Sequence, residues 1–304
     1  MKTKSSILSY AQNIEHFKNA IRATGLEPPS VIEPNKIHRF PGIGKGPNNT
    51  SAWCICYSSG FSGHFGDWST DLSEKWTANK GKHYSATNNV LIDREIKQSL
   101  ILQKTDIKLK RENAAKKARN IWQSAYAAPN NHQYLMRKNI QPYGAKLYGK
   151  NLILPIINLS KQMTSLQFIY PNGRKMLLTG GQKQGCFIPV TNNILHVERA
   201  IICEGWSTGC SIAESAPNSL VISAIDASNL KSIAMAARNH WPNIELIIAG
   251  DDDRNTPGNP GATKAKEAAI AANALLSMPQ WPKDAPNSLT DFNDLSNWIT
   301  RRAI

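Results

Sequence analysis

Ala200-Ile201-Ile202-Cys203-Glu204-Gly205 and, further along, Leu246-Ile247-Ile248-Ala249-Gly250-Asp251-Asp252-Asp253 decide how this chain is read. Each is a short apolar run that stops at an acid. Runs without polar alternation suit strands covered on both faces, as in a parallel sheet. The strand candidates are Ala200–Cys203 and Glu245–Ala249, with a third, Ser219–Ala224, between them. The intervening segments Ser207–Glu214 and Asn229–His240 carry helical patterns, so the region from Glu198 onward predicts alternating strands and helices, an α/β layer. Asn259-Pro260 is an N-cap and N1 pair, which predicts another helix through the alanine-rich Ala262–Leu276.

In an open α/β sheet, working residues collect at the carboxyl ends of the strands. Glu204 follows one strand, and Asp251 to Asp253 follow another. If the two are neighbours, Glu204, Asp251 and Asp253 share a rim, and Asp252 points aside because successive side chains of an extended segment alternate. Hard oxygen donors of this kind suit Mg²⁺ or Mn²⁺. The competing reading is a solvated turn leading into Asn255-Thr256-Pro257-Gly258. Glu204 weighs against it, because a glycine after the strand opens a turn that exposes the carboxylate.

Upstream, Ile14 to Thr24 predicts a helix ending at Gly25, and Ala52–Tyr57 a strand, with Gly60, Gly63 and Gly66 read as turns. Asp93 to Ala127 predicts a long charged helix, whose incomplete apolar stripe includes Ile96, Leu100, Ile107, Ala114, Ala118, Ile121 and Trp122, and Pro129 ends it. A short helix at Gln133–Lys138 precedes paired strands at Leu152–Asn158 and Thr164–Tyr170, and Pro171-Asn172-Gly173 is a turn signal.

The chain has 304 residues, 41% hydrophobic and 19% charged, which excludes a mostly disordered chain. Its longest apolar runs, such as residues 152–157, fall far short of a membrane helix. The opening MKTKSS leads into no secretory core, and five scattered cysteines make no disulfide framework, so a cytoplasmic protein without membrane association is expected. Net charge is +14, unevenly placed: residues 1–192 carry 27 basic and 10 acidic side chains, and 193–304 carry 9 and 12. Between Asn113 and Asn192 lie 11 Lys and Arg with no Asp or Glu. A solvated face normally mixes signs, so this stretch points to a polyanionic partner, nucleic acid foremost.

Ile201-Ile202-Cys203-Glu204-Gly205 together with Ile247-Ile248-Ala249-Gly250-Asp251-Asp252-Asp253 resembles the toprim domain shared by bacterial-type primases, topoisomerases and some nucleases. Asn259-Pro260-Gly261-Ala262 and Asp291-Phe292-Asn293-Asp294 resemble the form found in phage and plasmid primases. Gly149–Pro155, Leu166-Gln167-Phe168-Ile169, Gly173-Arg174-Lys175 and Gly185-Cys186-Phe187 are similar to the basic subdomain preceding it there, and His38-Arg39-Phe40-Pro41 with Phe65-Gly66-Asp67-Trp68 to the N-terminal module.

The resemblance implies α+β N-terminal modules followed by an α/β toprim domain with a mostly parallel sheet. The expected parts are a template-recognition module (1–90), a helical connector (91–128), a basic β-rich subdomain (129–192) and the catalytic domain (193–304). It implies a DNA primase of a plasmid, phage or other mobile element, using nucleoside triphosphates on single-stranded DNA. Asp251 and Asp253 would be metal ligands, Glu204 a ligand or general base, and Asp294 a peripheral acid or a helix cap. Arg174, Lys175, Lys161, Lys183 and Lys264 are candidates for phosphate contacts; each alone reads first as an ordinary surface charge, and the acid-free stretch as a whole carries the inference.

Cellular primases carry an N-terminal zinc ribbon, whereas here only Cys54-x-Cys56 is available, with His38, His64 and His83 as completers, and no zinc is expected. Trp53, Tyr57, Phe61, Phe65, Trp68 and Trp76 suit either a small core or stacking on unpaired bases. No phosphate loop of the Gly-x-x-x-x-Gly-Lys-Ser/Thr kind occurs, so any replicative helicase is expected on a separate chain. A toprim nuclease and a non-catalytic single-strand-binding accessory are the alternatives.

Overall fold

The computed structural model describes residues 10–58, 60–70, 72–78, 86–191 and 197–302. His83 lies outside the described residues, as do the side chains of Ile96 and Leu100. The chain divides into two compact units, 1–108 and 109–304. No helix among the described residues is long and apolar enough to cross a membrane.

In the first unit, helix α1 (Tyr10–Ala23) precedes four strands, β1 (His38–Phe40), β2 (Ala52–Cys56), β3 (Ser62–Asp67) and β4 (Leu72–Thr77), paired antiparallel in the order β1-β2-β3-β4. Ile14, Phe17 and Ile21 recur at helical spacing and bury one stripe of α1 against Cys54, Cys56 and Phe65. Phe17 packs 6.0 Å from the Phe65 ring and 5.1 Å from that of Trp76. Gly63 and Gly66, expected as turns, lie inside β3. The reason is close approach: a Cβ on Gly63 would sit 2.5 Å from the Phe17 ring, and one on Gly66 would run into the Leu72 carbonyl. Gly60 does turn, with φ of 69°. Burial pushes the Cys54 thiol up to about 12 and the Cys56 thiol to about 11, as for core residues.

Helix α2 runs over Ala86–Ser124, starting earlier and ending sooner than its pattern suggested, because Tyr126–Ala127 pairs as strand β5. Of the expected stripe, Ala114 and Ala118 are buried and Ile121 and Trp122 pack with Ile153 and Leu166, whereas Ile107 stays 48% exposed. The buried part of this stripe lies in the last turns, against the sheet that follows.

In the second unit, β5, β6 (Lys146–Tyr148), β7 (Asn151–Ile157), β8 (Met163–Ile169) and β9 (Lys175–Leu177) form an antiparallel sheet in sequence order. Helix α3 (Gln133–Lys138) lies between β5 and β6, N-capped by His132 and closed by Asn139 in the left-handed conformation. A second sheet combines β10 (Ile188–Pro189), β11 (Arg199–Cys203), β12 (Leu220–Ser223), β13 (Glu245–Ala249) and β14 (Leu275–Ser277) in the order β10-β12-β11-β13-β14, every pair parallel except β10 with β12. Helices α4 (Trp206–Ser215), α5 (Ala227–His240) and α6 (Pro260–Ala271) connect its strands, and α7 (Phe292–Arg302) follows. The helix expected through Leu276 therefore stops at Ala271. Asn273 turns the backbone at φ of 47°, and Leu275 and Leu276 pair with Ile247 and Ile248 instead.

The segment 129–192 and the region after it share one core, in which Leu152, Leu154, Ile156 and Ile169 pack with Ile201, Cys203, Trp206 and Cys210. Strand β10, before residue 193, is already part of the parallel sheet. Asn229 clamps the two regions: its Nδ2 donates to the carbonyls of Cys186 (2.8 Å) and Ala224 (2.9 Å), and its Oδ1 accepts from the Gly185 amide (3.0 Å).

Candidate active site

Strands β11 and β13 are adjacent and in register, Cys203 opposite Ala249, so the residues after them leave the sheet side by side. Glu204 follows β11, and Asp251 and Asp253 follow β13. Burial raises Asp251 to about 8, assisted by the negative charges of Glu204, Asp291 and Asp253 and opposed by Lys175. Glu204 is also raised, first by burial and then by Asp253, while an amide hydrogen bond from Ala227 at the start of α5 works the other way. The Asp251 Oδ1 atom is buried without a hydrogen-bond partner. Asp253 Oδ2 accepts from the Gly261 amide at 2.9 Å, in the first turn of α6. Glycine is required there, because a Cβ would lie 2.8 Å from that same oxygen. Asp252 turns aside and accepts from Asn259 Nδ2 (2.7 Å) and Trp281 Nε1 (2.8 Å). Among the described residues, no three His, Cys, Asp or Glu side chains stand together at metal-ligand range around one point.

Residues 199–297 match the family model for the Toprim domain. These residues are a toprim domain. The DNA primase TraC of Escherichia coli is 26% identical over 297 residues, covering 90% of this chain and 27% of that protein. A second Escherichia coli DNA primase TraC is 26% identical over 295 residues, with coverage of 90% and 20%. The chain thus spans roughly a quarter or less of the length of the curated relatives it matches. Among solved structures, the DnaG primase catalytic domain bound to ssDNA aligns with a TM-score of 0.45 and 10% identity, over 64% of this chain and 78% of that one. The primase fragment of the bacteriophage T7 primase-helicase protein aligns with a TM-score of 0.41 and 14% identity, over 59% and 77%.

The fourth acid beside the toprim rim is Asp291, for which its motif alone implies no role, and whose Oδ1 also accepts from the Asp294 amide at 2.8 Å. Its Oδ2 accepts from Thr208 Oγ1 at 3.1 Å, and its charge acts on Asp251. Asp294, expected as a peripheral acid or a helix cap, makes the capping contact: its Oδ2 accepts from the Thr290 amide at 3.1 Å, and its Oδ1 lies 3.5 Å from Lys138 Nζ. An Asp-x-x-Asp pair opening a helix reads as a capping arrangement, and nothing local says which carboxylate also faces the sheet.

The candidate cations separate into groups. Lys175 acts on both Glu204 and Asp251, and a Cβ on Gly205 would lie 4.0 Å from its Nζ. Lys183 is engaged, 2.7 Å from Asp226 Oδ2 and 3.1 Å from Ser228 Oγ. Arg174 lies over the Tyr170 ring at 5.7 Å and is exposed. Lys161 is exposed in the β7–β8 turn, and Lys264 pairs with Glu267 on the surface of α6. Of the 11 cations between residues 113 and 192, only Lys138 and Lys183 are paired with a carboxylate among the described residues.

Proposed function

We propose that this chain is a DNA primase, joining nucleoside triphosphates into short primers on single-stranded DNA in the replication or transfer of a plasmid, phage or other mobile element. The observation that carries the reading is the gathering of Glu204, Asp251, Asp253 and Asp291 at the carboxyl edge of the toprim sheet, with Lys175 beside them. The two TraC relatives, both named DNA primases, support it.

The donor chemistry suits a divalent ion, which would draw the acids closer than they stand here. Asp251 Oδ1 is buried and unpartnered, the repulsion among the acids is what a cation relieves, and all the donors are hard oxygens suited to Mg²⁺ or Mn²⁺. Glu204, Asp251 and Asp253 would hold it. When bound, it supplies positive charge against the charge developing on the triphosphate. The Glu204 carboxylate, raised above its ordinary range, is matched to accept the proton of an attacking 3′-hydroxyl. As that proton leaves, the 3′-oxygen bonds to the α-phosphorus and pyrophosphate departs. The Gly261 amide fixes the Asp253 carboxylate, and Lys175 is placed to meet phosphate oxygens. Arg174 and Lys161 belong to the unpaired cations that grip the template, and Lys264 adds charge on α6. The first unit, with Trp68 stacked on Trp53 at 5.3 Å, is suited to read unpaired bases and set where synthesis starts.

Incubation with single-stranded DNA, labelled nucleotides and Mg²⁺ or Mn²⁺, followed by sizing of products, tests the reading. Short primers are expected, abolished by Glu204→Gln, Asp251→Asn or Asp253→Asn with single-strand binding retained. Full synthesis by Asp251→Asn refutes the site. Cleaved DNA in place of primers establishes a nuclease, and binding without either product establishes an accessory protein.

A further inference from the structure

The 13 residues from Met278 to Thr290 join β14 to α7 without helix or strand, and Pro279, Pro282 and Pro286 withhold three amide donors from any such element. A connection of that length inside a compact domain is uncommon and generally serves the site it borders. This one delivers Asp291, whose carboxylate meets Thr208 in the first turn of α4, three residues after Gly205. Turns closed by the Pro282 and Pro286 carbonyls shape the loop, and Asp284 pairs with Arg302, which ties it to the helix it leads into.

The loop is fastened to the end of β13 by the middle acid of the triplet and the arginine that follows. The Asp252 amide donates to the Thr290 carbonyl at 2.6 Å, one peptide unit before Asp291. Trp281 Nε1 donates to Asp252 Oδ2 at 2.8 Å, and Arg254 Nη2 donates to the carbonyls of Pro286 (2.9 Å) and Leu289 (3.2 Å). The guanidinium lies over the Trp281 ring at 4.5 Å, with its Nε 3.6 Å from Asp252 Oδ2. Asn259 closes the arrangement: its Nδ2 donates to Asp252 Oδ1 at 2.7 Å, while its Oδ1 accepts from the Asp253 amide at 2.8 Å. The Asp252 and Arg254 side chains are 18% and 24% exposed, so water screens this pair far less than a surface one.

An acid engaged in this way has no oxygen to spare for an ion. Both Asp252 oxygens accept from neighbours and its charge is answered by Arg254, whereas Asp251 Oδ1 has no partner. Helix α7 is secured separately, through Asn293 on Ser211 Oγ and the Lys138 carbonyl. The stretch that depends on Asp252 and Arg254 is therefore the one leading into Asp291.

We propose that Asp252, Arg254 and Trp281 form a latch that positions Asp291 beside Asp251, so that the triplet supplies two acids to the rim and, between them, the residue that sets a further one. The inference rests on the divalent-ion reading of the rim. It deepens that reading by giving a cation, Arg254, a positive part in cation binding.

The sign of one substitution separates this latch from plain electrostatics. Arg254→Met removes a positive charge from beside the rim, which by Coulomb attraction alone tightens a cation, whereas release of the loop weakens it. The measurement is Mn²⁺ binding to the full chain without nucleotide or DNA, read from the EPR signal of the free ion. Arg254→Met should weaken Mn²⁺ roughly tenfold, the low end for residues that orient ligands. Arg254→Lys, which keeps the charge and one donor, should weaken it less, and the charge-neutral Trp281→Phe severalfold. In an Asp291→Asn background the effect of Arg254→Met should fall below about twofold, because contributions that run through one residue are not additive. Tighter or unchanged Mn²⁺ binding by Arg254→Met, or an equal loss with and without Asp291, overturns the proposal. If circular dichroism shows that Arg254→Met does not fold, Trp281→Phe with and without Asp291→Asn decides: an equal loss in both backgrounds, or none, overturns it. Failure of the wild type to bind Mn²⁺, or binding undiminished by Asp251→Asn, removes the ion reading of the rim and the latch with it. Mn²⁺ binding without primer synthesis refutes the primase reading alone, and the latch is then judged on the Mn²⁺ affinities.

Discussion

Replacing Asp251 by Asn should stabilise the ion-free protein, and the gain should depend on pH. In the folded chain Asp251 holds its proton up to about 8, against an ordinary 3.8. Between these values the folded state binds a proton that the unfolded state has released, so stability falls as pH rises and the loss is complete above pH 8. One fully shifted carboxyl would account for about 1.4 kcal/mol per pH unit, on the order of 5 kcal/mol in all. Water and counter-ions entering the rim screen part of it, which leaves about 3 kcal/mol at pH 8 and about zero at pH 4. Asn removes the charge at constant shape and leaves no new buried carboxylate. The assay is hydrogen exchange of the full chain in EDTA, read at the β11 and β13 amides, which open only with the parallel sheet. Wild type should lose protection from pH 5 to pH 8 after correction for intrinsic exchange, and Asp251→Asn should lose far less. Millimolar Mg²⁺ should restore the wild type and leave the variant unmoved, since a ligand stabilises only the state that binds it. A variant no more stable than wild type at pH 8 would refute the argument that burial and neighbouring acids together make the Asp251 charge costly in this rim.

Three further expectations follow from packing and charge. Asn229→Ala leaves the Gly185 amide and the carbonyls of Lys183, Cys186 and Ala224 without this partner, and should destabilise the second unit by about 3 kcal/mol in urea unfolding. Arg174→Ala/Lys175→Ala should reduce the salt dependence of single-strand binding by about 1.4 in log–log slope, and an unchanged slope would show that these cations face something other than template. Trp68→Ala, at a side chain 63% exposed, should change stability by less than about 1 kcal/mol while altering the template positions at which primers start, read by sequencing the products.

The parallel sheet was legible because its strands are short apolar runs, and the runs ending at Glu204 and Asp251 need no tertiary information to be seen. Where reading failed, a distant partner decided the local outcome. Ala262–Leu276 has helical composition throughout, yet Leu275 and Leu276 gain more by pairing with β13 than by extending α6. Gly63 and Gly66 look like turn residues, but their missing side chains make room for the Phe17 ring and the Leu72 carbonyl. The part of Asp291 beside Asp251 was hidden for the same reason. The motif presents two carboxylates at helix-capping spacing, and only the positions of Thr208, Lys138 and Asp251 distinguish them.

The acid-free stretch from 113 to 192 also takes on a second meaning once folded. Three of its 11 cations are directed at acids of the toprim domain: Lys175 at Glu204 and Asp251, Lys183 at Asp226, and Lys138 at Asp291 and Asp294. A rim of carboxylates crowded at the edge of a sheet repels itself, and the cheapest relief is positive charge from a neighbouring element that carries no acids of its own. That accounts for why the basic segment shares a core with the toprim sheet and is clamped to it through Asn229, since the charges act on one another only while the distance between them is fixed. Among the described residues the remaining eight cations face no toprim acid, and on the proposed reading they are the ones left for a polyanion. On the proposed reading the absence of Asp and Glu over the whole stretch serves both ends, because one misplaced carboxylate would compete with the toprim acids for the first group and with phosphate for the second.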